Sequence, residues 1–262
     1  AVTALSVGGS PGVSFTNDLS EIRAEFVDRS GVGLDFTDEG SSIVVTGPSG
    51  PVGGEVVVDG SALVWTPTVA LAANGADDGE YLITITPVDL AGRVGAGLER
   101  GIVYDSQAPR VVAASPADTS LAVTFVRDSI ALVEVVLEDE GPAGIDLNVQ
   151  SVELTRADGS TVAGRQANDG VSTTRWQLNA PLATDGSDDG RYAIAVRATD
   201  RAGNEAVVEY DIEYDTQAPS FAGSDPADGS SIGPGLTTIR PTASDSGSGI
   251  DASATALALL GP

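Results

Sequence analysis

Nearly every side chain here that could do chemistry is a carboxylate. The 262 residues carry 38 Asp and Glu against 13 basic residues, all of them Arg, for a net charge of −25. There is no Cys, so no disulfide or thiolate metal site can form. There is no His, which removes imidazole zinc sites and His-based triads. There is no Lys to serve as an amine nucleophile, and no Met. Carboxylates alone leave two options: the acid–base pair of a glycosidase, or the binding of a hard cation through oxygen. The Asp residues gather with Gly and Ser in turn-like stretches, which suits cation binding and implies no catalytic cleft. "GGSPG" at 8–12 reads as a turn cluster, not a phosphate loop. The sequence therefore predicts no enzyme. It also has no EF-hand loop and no Gly-rich nonapeptide array. The acidic field repels nucleic acid and anionic lipid and attracts divalent cations.

These acidic stretches recur. "YDSQAP" at 104–109 returns as "YDTQAP" at 214–219. Asp77-Asp78-Gly79-Glu80-Tyr81 returns as Asp188-Asp189-Gly190-Arg191-Tyr192, Asp89-Leu90-Ala91-Gly92 as Asp200-Arg201-Ala202-Gly203, and Trp65 as Trp176. Gly33-Leu34-Asp35 returns as Gly144-Ile145-Asp146 and again as Gly249-Ile250-Asp251. A period near 110 residues marks a tandem array of whole domains rather than a solenoid. The hexapeptide is its linker: Tyr closes one copy, and Pro, with φ fixed and no N–H, forces an extended start to the next. The expected divisions are 1–105, 106–215, and an incomplete third copy over 216–262.

The elements that must position the carboxylates are strands. Ile22, Ala24 and Phe26 alternate with polar neighbours; so do Val133, Val135 and Leu137, and Tyr192, Ile194 and Val196 with their counterparts Tyr81, Ile83 and Ile85. Raised Gly and Pro (32 and 14) supply turns every 8–12 positions, and no segment keeps a 3.6-residue period. About seven short strands per copy predict an all-β chain of tandem immunoglobulin-like Greek-key β-sandwiches in an extended rod. Asp-Gly-x-Tyr before an alternating strand matches a tyrosine corner, and Trp65 and Trp176 read as core residues. No apolar run is long enough for a membrane helix, so no membrane insertion is expected in this segment. The absence of a leader-like start suggests a mature product or an internal piece.

"SDSGSGID" at 244–251, "ATDRAGNEA" at 198–206, "DDGRYAIAVRATD" at 188–200 and "YDTQAP" resemble motifs of the bacterial Ig-like domains found in tandem in large surface adhesins and stalk proteins. The resemblance covers nearly the whole chain. It implies an extracellular, cell-surface or secreted location and a structural spacer role in a fibre or adhesin, with neighbouring repeats as partners. An adhesive module recognising a receptor or glycan is the alternative. So is a donor-strand filament subunit, with "AVTALSV" as the donated strand and other copies of the chain as partners. Copy one departs most: Arg93 stands where copy two has Asn204, and its start lacks the Ser-Pro-Ala-Asp signature.

On such a sandwich the B–C and F–G loops share the end where the chain comes in, and the E–F turn lies at the other. That frame gathers Asp105, Asp139, Asp146, Asp200 and Asn204 at the first joint, with Glu138 and Glu140 beside them and Asp77 and Asp78 from the preceding copy. It gathers Asp215, Asp245 and Asp251 at the second, with Asp188 and Asp189. Converging carboxylate and amide oxygens at a linker predict Ca²⁺. Solvated turn Asp residues are the alternative account.

Overall fold

The computed structural model describes residues 1–29, 31–37 and 39–258. Among them there is no helix, and none is long and apolar enough to cross a membrane. Twenty strands form two pairs of larger sheets and one isolated two-stranded sheet. By contacts the chain divides into two compact units. The first holds Ala1–Val111, Leu137–Gln150 and Arg197–Val207; the second holds Val112–Val136, Ser151–Val196 and Val208–Pro262.

The first unit contains β1 (Val2–Val7), β2 (Ser10–Pro11), β3 (Phe15–Thr16), β4 (Ile22–Phe26), β5 (Ser42–Gly47), β6 (Gly50–Val52), β7 (Gly54–Asp59), β8 (Ala62–Pro67), β9 (Gly79–Thr86) and β10 (Leu98–Tyr104). They form sheets ordered β2-β1-β4-β8-β7 and β3-β10-β9-β5-β6. The chain crosses between the two sheets five times, and β3 runs parallel to β10 while the other assigned pairs are antiparallel. That is the Greek-key order of an immunoglobulin-like sandwich. The alternating residues supply its core: Ile22, Ala24, Phe26, Trp65, Tyr81, Ile83 and Ile85 are all buried. "AVTALSV" is not free, because β1 is paired with β4 of its own sheet.

The second pair of sheets repeats the plan with β11 (Arg110–Ser115), β12 (Val123–Val126), β13 (Leu132–Glu138), β14 (Ser151–Arg156), β15 (Gly164–Asn168), β16 (Thr173–Leu178), β17 (Gly190–Thr199) and β18 (Glu205–Tyr214). The orders are β11-β13-β16-β15 and β12-β18-β17-β14, and β12 again runs parallel to the last strand. Val133, Val135, Leu154, Ile194 and Ile212 are fully buried.

The tyrosine corners form in both copies. The Tyr81 hydroxyl donates to the Asp77 carbonyl at 2.7 Å, and Tyr192 to that of Asp188 at 2.6 Å. Burial and Asp77 push the Tyr81 phenol up to about 12. The linker tyrosines close each core edge-on, with ring centroids 6.1 Å apart for Tyr81–Tyr104 and 6.3 Å for Tyr192–Tyr214. Both Trp side chains serve the sandwich: Trp65 is buried, and half-buried Trp176 donates its Nε1–H to the Val162 carbonyl.

Among the described residues the third copy provides β19 (Ser220–Asp225) and β20 (Arg240–Ser244), paired antiparallel. A further strand is expected over 254–260. Residues 254–258 are turn and irregular chain instead, and Leu259 and Leu260 lie outside the described residues. Asp251 caps a turn there: its Oδ1 accepts from the backbone of Ser253 and Ala254, and its carbonyl from the Thr255 hydroxyl. Those bonds satisfy the backbone locally and compete with a ladder.

Candidate metal centre

Three strand ends in the first unit deliver three carboxylates to one point. Asp105 follows β10, Asp139 follows β13 and Asp200 follows β17. One carboxylate oxygen from each lies within 4.8 Å of the others. Asp105 is 0% exposed and Asp200 2%, while Asp139 is half-buried. Among the described residues no salt bridge reaches any of the three. Nearby Arg side chains are engaged otherwise: Arg110 pairs with Glu138 and Glu140, and Arg201 sits 5.7 Å from the Phe15 ring centroid.

Backbone N–H groups hold the carboxylates in place. Asp105 Oδ1 accepts from Gln107 at 2.9 Å and Oδ2 from Ala143 at 2.8 Å. Asp139 Oδ1 accepts from Gly141 at 3.0 Å, while its buried Oδ2 has no hydrogen-bond partner. Burial raises the Asp139 carboxyl; the Gly141 N–H opposes this, and Asp105 and Asp200 add to it. Gly141 is required by space: a Cβ there would overlap the Asp105 carboxylate.

Asn204 braces the group. Its Nδ2 donates to the Asp105 carbonyl at 2.8 Å and to Asp200 Oδ2 at 2.7 Å, and its own N–H donates to Asp200 Oδ1. Its Oδ1 accepts from Asn17 at 3.1 Å. Asn204, expected as a ligand, here spends its amide nitrogen on the Asp105 carbonyl and the Asp200 carboxylate. Asn17 belongs to no repeated motif and carries no sequence signal for this role.

The other expected residues fall elsewhere. Asp146 lies next to Ile145, which bridges Asp200, but its Oδ1 accepts from Asn148 in a local turn. Glu138 and Glu140 are held by Arg110. Asp77 accepts from Ala72, and Asp78 Oδ1 from Ser106 at 3.0 Å, leaving Asp78 Oδ2 buried without a partner. In the second unit Asp215 repeats the Asp105 arrangement: Oδ1 accepts from Gln217, Oδ2 from Ser248, and Gly247 fills the place of Gly141. The Ser248 bond, first, and Gln217 hold the Asp215 carboxyl below its usual value. Asp245 Oδ1 accepts from Gly247 and Gly249, and Asp189 from Thr216. Asp251 is exposed and spent on its turn. No second group of three converging acidic ligands occurs among the described residues.

The first group fits Ca²⁺. Two oxygens on opposite sides of one ion, each bonded at about 2.4 Å, lie about 4.8 Å apart. Every oxygen pair in the group meets that limit. The donors are hard oxygens, and one is an unpartnered buried atom. Backbone carbonyls and water would complete the six to eight ligands that calcium takes.

No family model matches the chain, and no curated protein matches it. Solved structures do. Fibronectin(III)-like modules of CbhA from Clostridium thermocellum are 13% identical, with a TM-score of 0.35 over 82% of this chain and 94% of that one. The D00-D0 domain of intimin is 16% identical, with a TM-score of 0.32 over 78% and 95%. A tetra-tandem repeat from the extending region of a large adhesion protein is 16% identical, with a TM-score of 0.31 over 77% and 46%. The fold assignment here rests on the sheet orders and the tyrosine corners themselves.

Proposed function

We propose that this chain is a structural spacer segment of an extracellular or cell-surface fibre or adhesin, in which Ca²⁺ stiffens the linker at Asp105. The observation that carries this reading is the Asp105–Asp139–Asp200 group, with two carboxylates buried and, among the described residues, no cationic side chain paired to any of the three. Three such charges held together cost free energy unless a cation sits among them. A cation there would tie the linker to segments 137–150 and 197–207, which lie in the same unit as Asp105. Repetition of the same sandwich and the same linker fits a spacer, which needs reach rather than a cleft.

Differential scanning calorimetry with chelator and with 10 mM Ca²⁺ tests this. Extracellular calcium modules bind at about 0.1–1 mM. For a dissociation constant of about 0.1 mM, one site adds about 2.7 kcal/mol at 10 mM. A melting profile that does not move between the two conditions would overturn the calcium reading.

A further inference from the structure

Strand β7 is the last strand of its sheet, hydrogen-bonded to β8 alone, and all six of its residues are exposed. Its sequence is Gly-Glu-Val-Val-Val-Asp, and Val56, Val57 and Val58 are 43%, 58% and 46% exposed. The free side of such a strand offers unpaired N–H and C=O groups, a template for one more strand. Proteins usually blunt these edges with polar residues. The second copy does so. Its equivalent strand β15 pairs Gln166 with Trp176 as β7 pairs Val56 with Trp65. On that register Val56, Val57 and Val58 correspond to Gln166, Ala167 and Asn168, and Glu55 corresponds to Arg165. The same scaffold thus carries a polar rim in one copy and an apolar one in the other.

Register fixes which faces these residues use. Val56 and Val58 oppose Trp65 and Leu63, both buried, so they stand at the rim of the core. Glu55, Val57 and Asp59 share the opposite face. Asp59 bonds Arg23 at 2.6 Å, and Glu55 has no ion pair among the described residues. A second copy of β7 is a poor partner. Antiparallel pairing centred on Val57 would set Glu55 against Asp59, a like-charge pair, between chains that each carry −25.

We infer that the β7 edge accepts an extended strand of a partner protein with basic residues four positions apart and apolar residues between them. The ladder supplies main-chain hydrogen bonds, Val56 and Val58 take the apolar side chains, and Glu55 and Asp59 select the basic ones. This interaction is independent of the cation site.

Titration of the full chain with a capped peptide Ser-Arg-Val-Thr-Val-Arg-Ser, followed by fluorescence anisotropy, tests it. Binding should be about ten-fold tighter than for the Glu-for-Arg peptide, and about ten-fold tighter than for a same-composition peptide with both Arg at one end. N-methylation of alternate peptide nitrogens should abolish binding. Glu55→Lys should remove most of the preference for Arg at an unchanged melting temperature, and Arg165→Glu should leave binding unaltered. Equal affinity for the scrambled peptide, binding that survives N-methylation, a preference for Arg that survives Glu55→Lys, or no binding at 1 mM peptide would each overturn the proposal. So would sedimentation showing a dimer that Val57→Lys dissolves, since the edge would then serve a second copy.

Discussion

Asp139→Asn separates a metal-binding carboxylate group from a set of turn caps, because the two accounts predict opposite signs. The Asn Oδ1 can keep the 3.0 Å bond from the Gly141 N–H, so the loop should stay in place. What changes is charge. At 4.8 Å two unit charges repel by about 0.9 kcal/mol in bulk water and about 3.5 kcal/mol at an effective dielectric of 20. Asp139 faces two such neighbours and is half-buried, which points toward the lower end; about 2 kcal/mol of relief is the working figure. In chelator the variant should therefore be more stable than the parent by about 2 kcal/mol. In 10 mM Ca²⁺ the parent gains about 2.7 kcal/mol, whereas a variant whose affinity falls about 100-fold gains only about 0.4 kcal/mol. The variant's advantage should vanish. Urea unfolding followed by Trp176 fluorescence, in a Trp65→Phe background, reads the second pair of sheets, whose β13 and β17 lead into Asp139 and Asp200. A variant less stable than the parent in chelator, or one that keeps the full calcium gain, refutes the reasoning.

Tyr81→Phe leaves the Asp77 carbonyl without its 2.7 Å bond and should cost about 1 kcal/mol by urea unfolding of the first sandwich; Tyr192→Phe should do the same to the second. Asp169 Oδ1 accepts from the N–H groups of Val171, Ser172 and Thr173, and the Thr173 bonds are the largest cause of its lowered carboxyl pKa. A lowered folded value gives stability that is present above the ordinary 3.8 and lost as pH falls through the folded value. Asp169→Asn should therefore make the acid limb of stability against pH shallower below about pH 4, as followed by Trp176 fluorescence.

Much of the fold was legible because burial writes a period of two into a strand. Ile22, Ala24 and Phe26, or Tyr192, Ile194 and Val196, announce one dry face without any long-range knowledge. The tyrosine corner was legible for a similar reason, since Tyr and its acceptor lie four residues apart. The carboxylate group was legible only in part. Recurrence in register brought Asp105, Asp139 and Asp200 forward, but it brought Asp146 and Asp251 forward equally. A turn-capping Asp is as tightly tied to its position as a ligand, and the difference lies in where the side chain aims. Asp105 and Asp139 also cap N–H groups two residues on but converge with Asp200, whereas Asp146 and Asp251 cap theirs outside that group. Asn17 was illegible because its role depends on an amide 187 positions away.

Gly141 and Gly247 hold one further consequence. Neither has a positive φ, so neither is there for backbone freedom. Each is there because the linker carboxylate occupies the volume a methyl group would need. The linker and the loop thus read one another by shape, as a key reads a lock with one pin left out. Any residue larger than hydrogen at 141 would evict the Asp105 carboxylate while leaving both strands intact. A single methyl group at that position would thus test whether the linker's seat and the sandwich's stability are separable properties of the chain.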